Sequence, residues 1–157
     1  MNKIVEISNP MLVGAMQLVK KDNTPENRKV FMDEILHAKF LAPVIITPSP
    51  ELDESGNAKF TPDSQMNVPM ITVDEGKCFF MAFTDLGEMR EVKLEGYVSV
   101  LPFTLKDYAA MIAQADETCQ GFVINPYCNG LIVSKAMVSS MIDSQKKPEA
   151  DERKKEN

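Results

Sequence analysis

Apolar residues recur at helical spacing near the start of this chain and crowd into short runs through its middle. Asn9-Pro10 places an N-cap residue before proline at the first helical position, and Leu12, Ala15, Met16 and Val19 follow at i, i+3, i+4 and i+7. That spacing predicts an amphipathic helix ending near Lys21. Thr24-Pro25 repeats the start signal, and the i,i+4 pairs Phe31/Ile35 and Met32/Leu36 predict a second helix to about Lys39. The short link from Asp22 to Thr24 makes these helices neighbours.

Ala42 to Thr47 reads as a short buried strand with Pro43 at its start, where a missing N–H removes no ladder bond. Residues 48–67 hold three prolines, a Gly-Asn pair and a net negative charge, the signature of a long mobile loop or of an insertion between strands. Val68 to Val73 and Lys77 to Thr84 are extended runs joined by Asp74-Glu75-Gly76, with glycine supplying the positive φ of a bulged hairpin turn. In the second run Phe79, Met81 and Phe83 point one way, and Cys78, Phe80 and Ala82 the other. Apolar residues on both faces predict a central strand covered on both sides.

Further along, Asp85 can cap a short helix through Glu91, with Glu88 in the capping-box position. Tyr97 to Leu101 reads as a strand ending at Pro102. Thr104 opens a helix carrying Leu105, Tyr108, Ala109 and Ile112 on one face. Gly121 to Asn125 and Leu131 to Val133 are two more strands, and Ser134 caps a last helix in which Val138, Met141 and Ile142 share a face. From Lys146 onward the chain is charged and unpatterned, which predicts disorder over 146–157. The order ααβ–ββαβαββα predicts one α+β domain over 1–145. Its sheet should be mixed and mostly antiparallel, about five to six strands wide, with helices packed on it.

A chain of 157 residues, 44% of them apolar, buries about 70% of its unfolded surface and needs no covalent staples. The tail from Lys146 carries five basic and four acidic residues, so the body carries −7 of the formal −6. Such a body repels phosphate backbones and anionic headgroups, which argues against nucleic acid or a membrane as partner. Cys78, Cys119 and Cys128 show no short paired spacing, and the N-terminus has no apolar signal core. A reducing, cytoplasmic setting is the expectation. The 11 methionines mainly occupy core positions of the helices and strands, although methionine also favours adaptable binding surfaces.

Candidate chemistry is sparse. His37, the single histidine, follows Asp33 by four residues and Glu34 by three, so a carboxylate could orient it as a base. Against that, it lies on the polar side of its helix, where a solvated histidine suits the C-terminal dipole. Cys128 sits in the turn Asn125-Pro126-Tyr127-Cys128-Asn129-Gly130 and is the candidate nucleophile, but no cation nearby in sequence lowers its pKa. Cys78 and Cys119 read as small buried hydrophobes. Glu51, Asp53, Glu54 and Asp63 lack the alternation of a calcium loop, and no glycine-rich phosphate cradle occurs. No cofactor or metal is expected.

Asn9-Pro10-Met11-Leu12, then Thr24 to Phe31, Leu41-Ala42-Pro43-Val44, Met81 to Asp85 and Val123-Ile124-Asn125-Pro126 occur in an order that resembles the N-terminal domain of the SseB (enhanced serine sensitivity) family. The likeness covers nearly all of Pro10 to Ile142. It implies a cytoplasmic bacterial α+β domain without established catalytic residues, so no site is carried over. Larger family members add a C-terminal domain, whereas this chain stops after one, and Tyr127-Cys128-Asn129 is bulkier than the small residues expected in that turn. The expected function is therefore a non-enzymatic interaction or regulatory module. Its candidate surface is Phe83, Thr84, Asp85, Asn125, Pro126, Tyr127 and Cys128, directed at a protein partner or a second copy. The alternatives are an enzyme using Cys128 or His37, and a small-molecule sensor with an apolar pocket between sheet and helices.

Overall fold

The run Lys77 to Thr84, apolar on both sides, lies in the middle of the molecule as expected. The computed structural model describes residues 7–59, 62–74, 76–94, 97–127 and 130–156. Helices α1 (Pro10–Lys21) and α2 (Pro25–His37) come first, followed by strands β1 (Phe40–Thr47), β2 (Glu51–Leu52), β3 (Ala58–Lys59), β4 (Gln65–Asn67), β5 (Met70–Asp74) and β6 (Lys77–Ala82). A 3₁₀ turn (Gly87–Glu91) leads to β7 (Tyr97–Phe103), α3 (Leu105–Gln114), β8 (Cys119–Ile124), β9 (Leu131–Ser134) and α4 (Lys135–Glu156).

In place of one sheet there are two principal ones, ordered β4-β1-β7 and β5-β6-β8-β9, beside the small hairpin β2-β3. Among the described residues, all pairings are antiparallel except β6 with β8. That parallel pair needs a crossover, which β7 and α3 provide. The two sheets are bridged where Leu41 and Phe83 exchange backbone hydrogen bonds of 2.8 and 2.9 Å.

This junction explains two prolines inside strands. Pro43 was expected at a strand start, and Leu101 was expected to close its strand, yet β1 begins at Phe40 and β7 runs to Phe103. In β1, Leu41 turns its amide and carbonyl away from β7 toward Phe83, so the odd-numbered positions face the outer edge. Pro43 then falls between the Phe83 bridge and the β4 pairing that starts at Ile45, where no partner awaits an N–H. Pro102 stands opposite Leu41, so its nitrogen points to the free edge of β7. Neither proline removes a ladder bond.

Alternation along β6 divides the interior. Phe80 and Ala82 enter the main core with Leu12, Phe31, Ile35, Phe40, Tyr108 and Phe122, between the sheet and the four helices. Met81 and Phe83 face the other way, with Leu41, against Ile71, Leu86, Met89 and Val92. Each large side chain buried in this way contributes about 1.5–3 kcal/mol before entropy is counted. The bulged turn after β5 is present, with Gly76 at φ 72°.

Within 48–67, expected as a mobile loop or an insertion between strands, the described residues form the β2-β3 hairpin and β4, which pairs with β1. The segment capped by Asp85 is 3₁₀ and not α-helical, which changes that expectation. Helix α4 runs from Lys135 to Glu156.

Candidate functional site

Strands β6 and β8 run parallel in register, Met81 beside Val123 and Ala82 beside Ile124, and then separate. The Asn125 N–H makes one last ladder bond to the Ala82 carbonyl at 2.8 Å. Asn125 then adopts φ 53°, a left-handed conformation that asparagine tolerates better than most residues. Phe83 has meanwhile turned to Leu41, which leaves the Thr84 N–H without a backbone partner from β8. The Asn125 side chain fills the gap: Oδ1 accepts the Thr84 N–H at 3.0 Å, and Nδ2 donates to Thr84 Oγ1 at 3.0 Å. Thr84 Oγ1 in turn donates to Asp85 Oδ2 at 3.2 Å, and Asp85 Oδ1 accepts the Glu88 N–H at 3.1 Å. A carboxamide, a hydroxyl and a carboxylate thus form one chain ending in a turn cap.

Asn9 joins the same cluster. It holds the N-cap position of α1, but its side chain makes no capping bond, contrary to expectation. Its Nδ2 donates instead to the carbonyls of Thr84 and Lys39, each at 2.9 Å. These two bonds fix the orientation of the carboxamide, and one of the free helix amides is already removed by Pro10.

Beyond the turn, Gly130 lies close against the end of β8. A Cβ on Gly130 would lie 2.7 Å from the Ile124 carbonyl oxygen and 2.8 Å from that of Asn125. Tyr127, 46% exposed, stacks over buried Phe83 with ring centroids 6.3 Å apart and planes at 15°. Its hydroxyl lies 3.9 Å from Met81 Sδ. The two junctions singled out in the sequence are therefore in direct contact. Phe83, Thr84 and Asn125, however, are buried and cannot themselves present a surface. Their backbone hydrogen bonds and the overlying Tyr127 ring account for that. Asp85, Pro126 and Tyr127 reach solvent, and Cys128 lies outside the described residues.

The other candidates lie apart. His37 is exposed, and its Nδ1 sits 2.8 Å from the Asp33 carbonyl one turn earlier. Cys78 and Cys119 stand in register on β6 and β8, but their thiols have different partners, Thr72 Oγ1 at 3.5 Å and the Gly121 carbonyl at 3.7 Å. Among the described residues, no three His, Cys, Asp or Glu side chains are grouped to hold a metal ion, and no helix is long and apolar enough to cross a membrane.

Sequence reasoning placed Tyr108 in the apolar stripe of α3 and gave its hydroxyl no role. The ring is buried, stacked on Phe122 at 4.6 Å and edge-on to Phe40 and Phe103, and the hydroxyl donates to the Met81 carbonyl at 2.8 Å. Burial, with Asp107 beside it, holds this phenol well above its ordinary pKa. A polar tip inside a buried stripe was the available signal, since such a tip has to find a partner.

Two antiparallel-rich sheets joined at one bridge, with helices over one face and a clamped β6/β8 junction, define a single α+β domain. The chain belongs to the SseB protein N-terminal domain family, whose match spans residues 12–140. No curated protein and no solved structure matches it.

Proposed function

We propose that this domain is a non-enzymatic interaction or regulatory module of the cytoplasm. It contacts a protein partner, or a second copy of itself, through the surface formed by Asp85, Pro126 and Tyr127. The observation that carries this reading is the posture of Tyr127. An exposed aromatic ring is stacked on a buried one, on a turn fixed by the Asn125–Thr84 bonds. A ring already held in place loses little conformational entropy on binding, which is the usual character of an interface anchor. The polar groups around it support the same reading. Asn9, Asp85 and Asn125 direct side-chain bonds at backbone groups of the fold, and the Thr84 hydroxyl bonds to the side chains of Asp85 and Asn125.

Light scattering on the purified chain, with pull-downs from lysate using wild type and Tyr127→Ala, tests the proposal. A defined assembly or captured protein that is lost in Tyr127→Ala, while circular dichroism stays unchanged, supports it. A strictly monomeric chain that retains nothing, or retention identical in both proteins, overturns it.

A further inference from the structure

Residues of α3 and α4, with the short link after α3, line a groove of about 520 Å³. The sequence explains why it stays open. Along α3, Ala109 and Ala113 occupy consecutive turns of the groove wall, and Ser139 faces them from α4; these side chains are too short to meet. Ile112, Val138 and Ile142 form an apolar floor below them. The α4 positions 135, 138, 139, 142 and 143 make one stripe at helical spacing, so the groove follows the helix axis.

The rim has a definite sign. Asp116, Glu117 and Asp143 line it, with Lys135 as the one ammonium group among the described residues. Hydrogen bonds from the Thr118 hydroxyl and amide hold the Asp116 carboxyl below its ordinary pKa, so this rim group stays anionic. The whole chain carries a formal −6, which makes a second copy a poor occupant of an acidic groove. A bare anion is disfavoured for the same reason.

We propose that the α3/α4 groove docks an amphipathic peptide helix whose apolar stripe is flanked by Lys or Arg. Large aliphatic side chains of that helix, at i, i+3 and i+4, fill the space above Ile112 and Ile142. Its basic flanks meet Asp116, Glu117 and Asp143 across the rim. This surface is separate from the Tyr127 turn, and it stands or falls independently of it.

The test uses the full chain and a fluorescein-labelled synthetic Leu/Lys amphipathic peptide about four helical turns long, alongside its Leu/Glu counterpart. Anisotropy titration is expected to show binding of the Lys peptide, weakened by added salt as screening reduces the rim attraction. Ala113→Leu fills the groove without changing charge and is expected to weaken binding roughly tenfold or more. Ala110→Leu, on an exposed position of α3 outside the groove, is expected to leave it unchanged. Glu117→Lys with Asp143→Lys is expected to reverse the preference toward the Glu peptide. The inference is overturned by absence of binding, by equal affinity of Ala113→Leu and wild type, or by equal affinity for both peptides. Self-association that Ala113→Leu abolishes would assign the groove to a second copy and overturn it as well.

Discussion

The carboxamide of Asn125 stands beside Thr84 where a continuing strand would have placed a peptide group, accepting the Thr84 N–H at 3.0 Å and donating to Thr84 Oγ1 at 3.0 Å. Asn125→Ala leaves a buried amide unpaired and puts a Cβ-bearing residue without a compensating side chain at positive φ. The expected loss is about 2–4 kcal/mol. Asn125→Gly loses the same bonds but accepts the backbone conformation, and should be about 1 kcal/mol more stable than Asn125→Ala. Urea denaturation of the three proteins measures both differences. Equal midpoints for all three would contradict this account of the junction.

Tyr108 makes stability pH-dependent on the alkaline side. Its folded phenol keeps its proton above the ordinary value of 10.0, because burial, and secondarily Asp107, disfavour the phenolate. The unfolded chain releases that proton near the ordinary value, so this contribution is complete below it and declines as pH rises past it. Tyr108→Phe removes the bond to the Met81 carbonyl and should cost about 1 kcal/mol near neutral pH. Its stability should then fall less steeply than wild type above the ordinary tyrosine range. Urea midpoints across alkaline pH reveal the crossover in slope.

Two glycines should respond to alanine in opposite directions. Gly121 sits at φ 140°, and an added Cβ would lie 2.1 Å from the Val133 carbonyl oxygen across the β8/β9 pair. Gly121→Ala must push β9 away and is expected to cost more than about 3 kcal/mol or to prevent folding. At Gly14, inside α1, such a Cβ would meet nothing within 4 Å beyond its chain neighbours and its own helix backbone. Gly14→Ala should raise stability by about 0.5–1 kcal/mol. Thermal melts of the pair are the check.

Asp116 titrates below the ordinary carboxylate range because the hydroxyl and amide of Thr118 both donate to Oδ1, aided by Lys135. Thr118→Val keeps the shape and removes the hydroxyl, so the Asp116 midpoint followed by NMR should move upward toward its ordinary value. In wild type the contribution is present above the unfolded pKa and lost as pH falls through the folded one. A midpoint unmoved by Thr118→Val would exclude the hydroxyl as the main cause.

Local patterns predicted these elements well wherever burial obeys a simple period. The stripes Leu12/Ala15/Met16 and Leu105/Tyr108/Ile112 are buried as their spacing requires, and Ser134 accepts the Met137 N–H at 3.2 Å as a cap should. The two-faced run Phe79–Phe83 was recognisable as a central strand because water-excluded positions on both sides leave no polar alternation. Asn9 was misread for the complementary reason. Its own helix offered amides nearby in sequence, while the two carbonyls it serves belong to Lys39 and Thr84, far along the chain.

By itself, then, the sequence determined where the main helices and longer strands lie and which faces they bury, because those preferences act over a few residues. Tertiary structure alone decided that the sheet divides at Leu41–Phe83, that Pro43 and Pro102 fall at positions with no waiting partner, and that Thr84 meets Asn125. It also decided that Phe83 lies buried beneath Tyr127, that Thr84 and Asn125 are buried, and that α3 and α4 leave an acid-rimmed groove between them. Such relationships depend on which distant strands pair and in what register, and a one-dimensional pattern of apolar and polar residues does not encode register between segments that lie far apart in the chain.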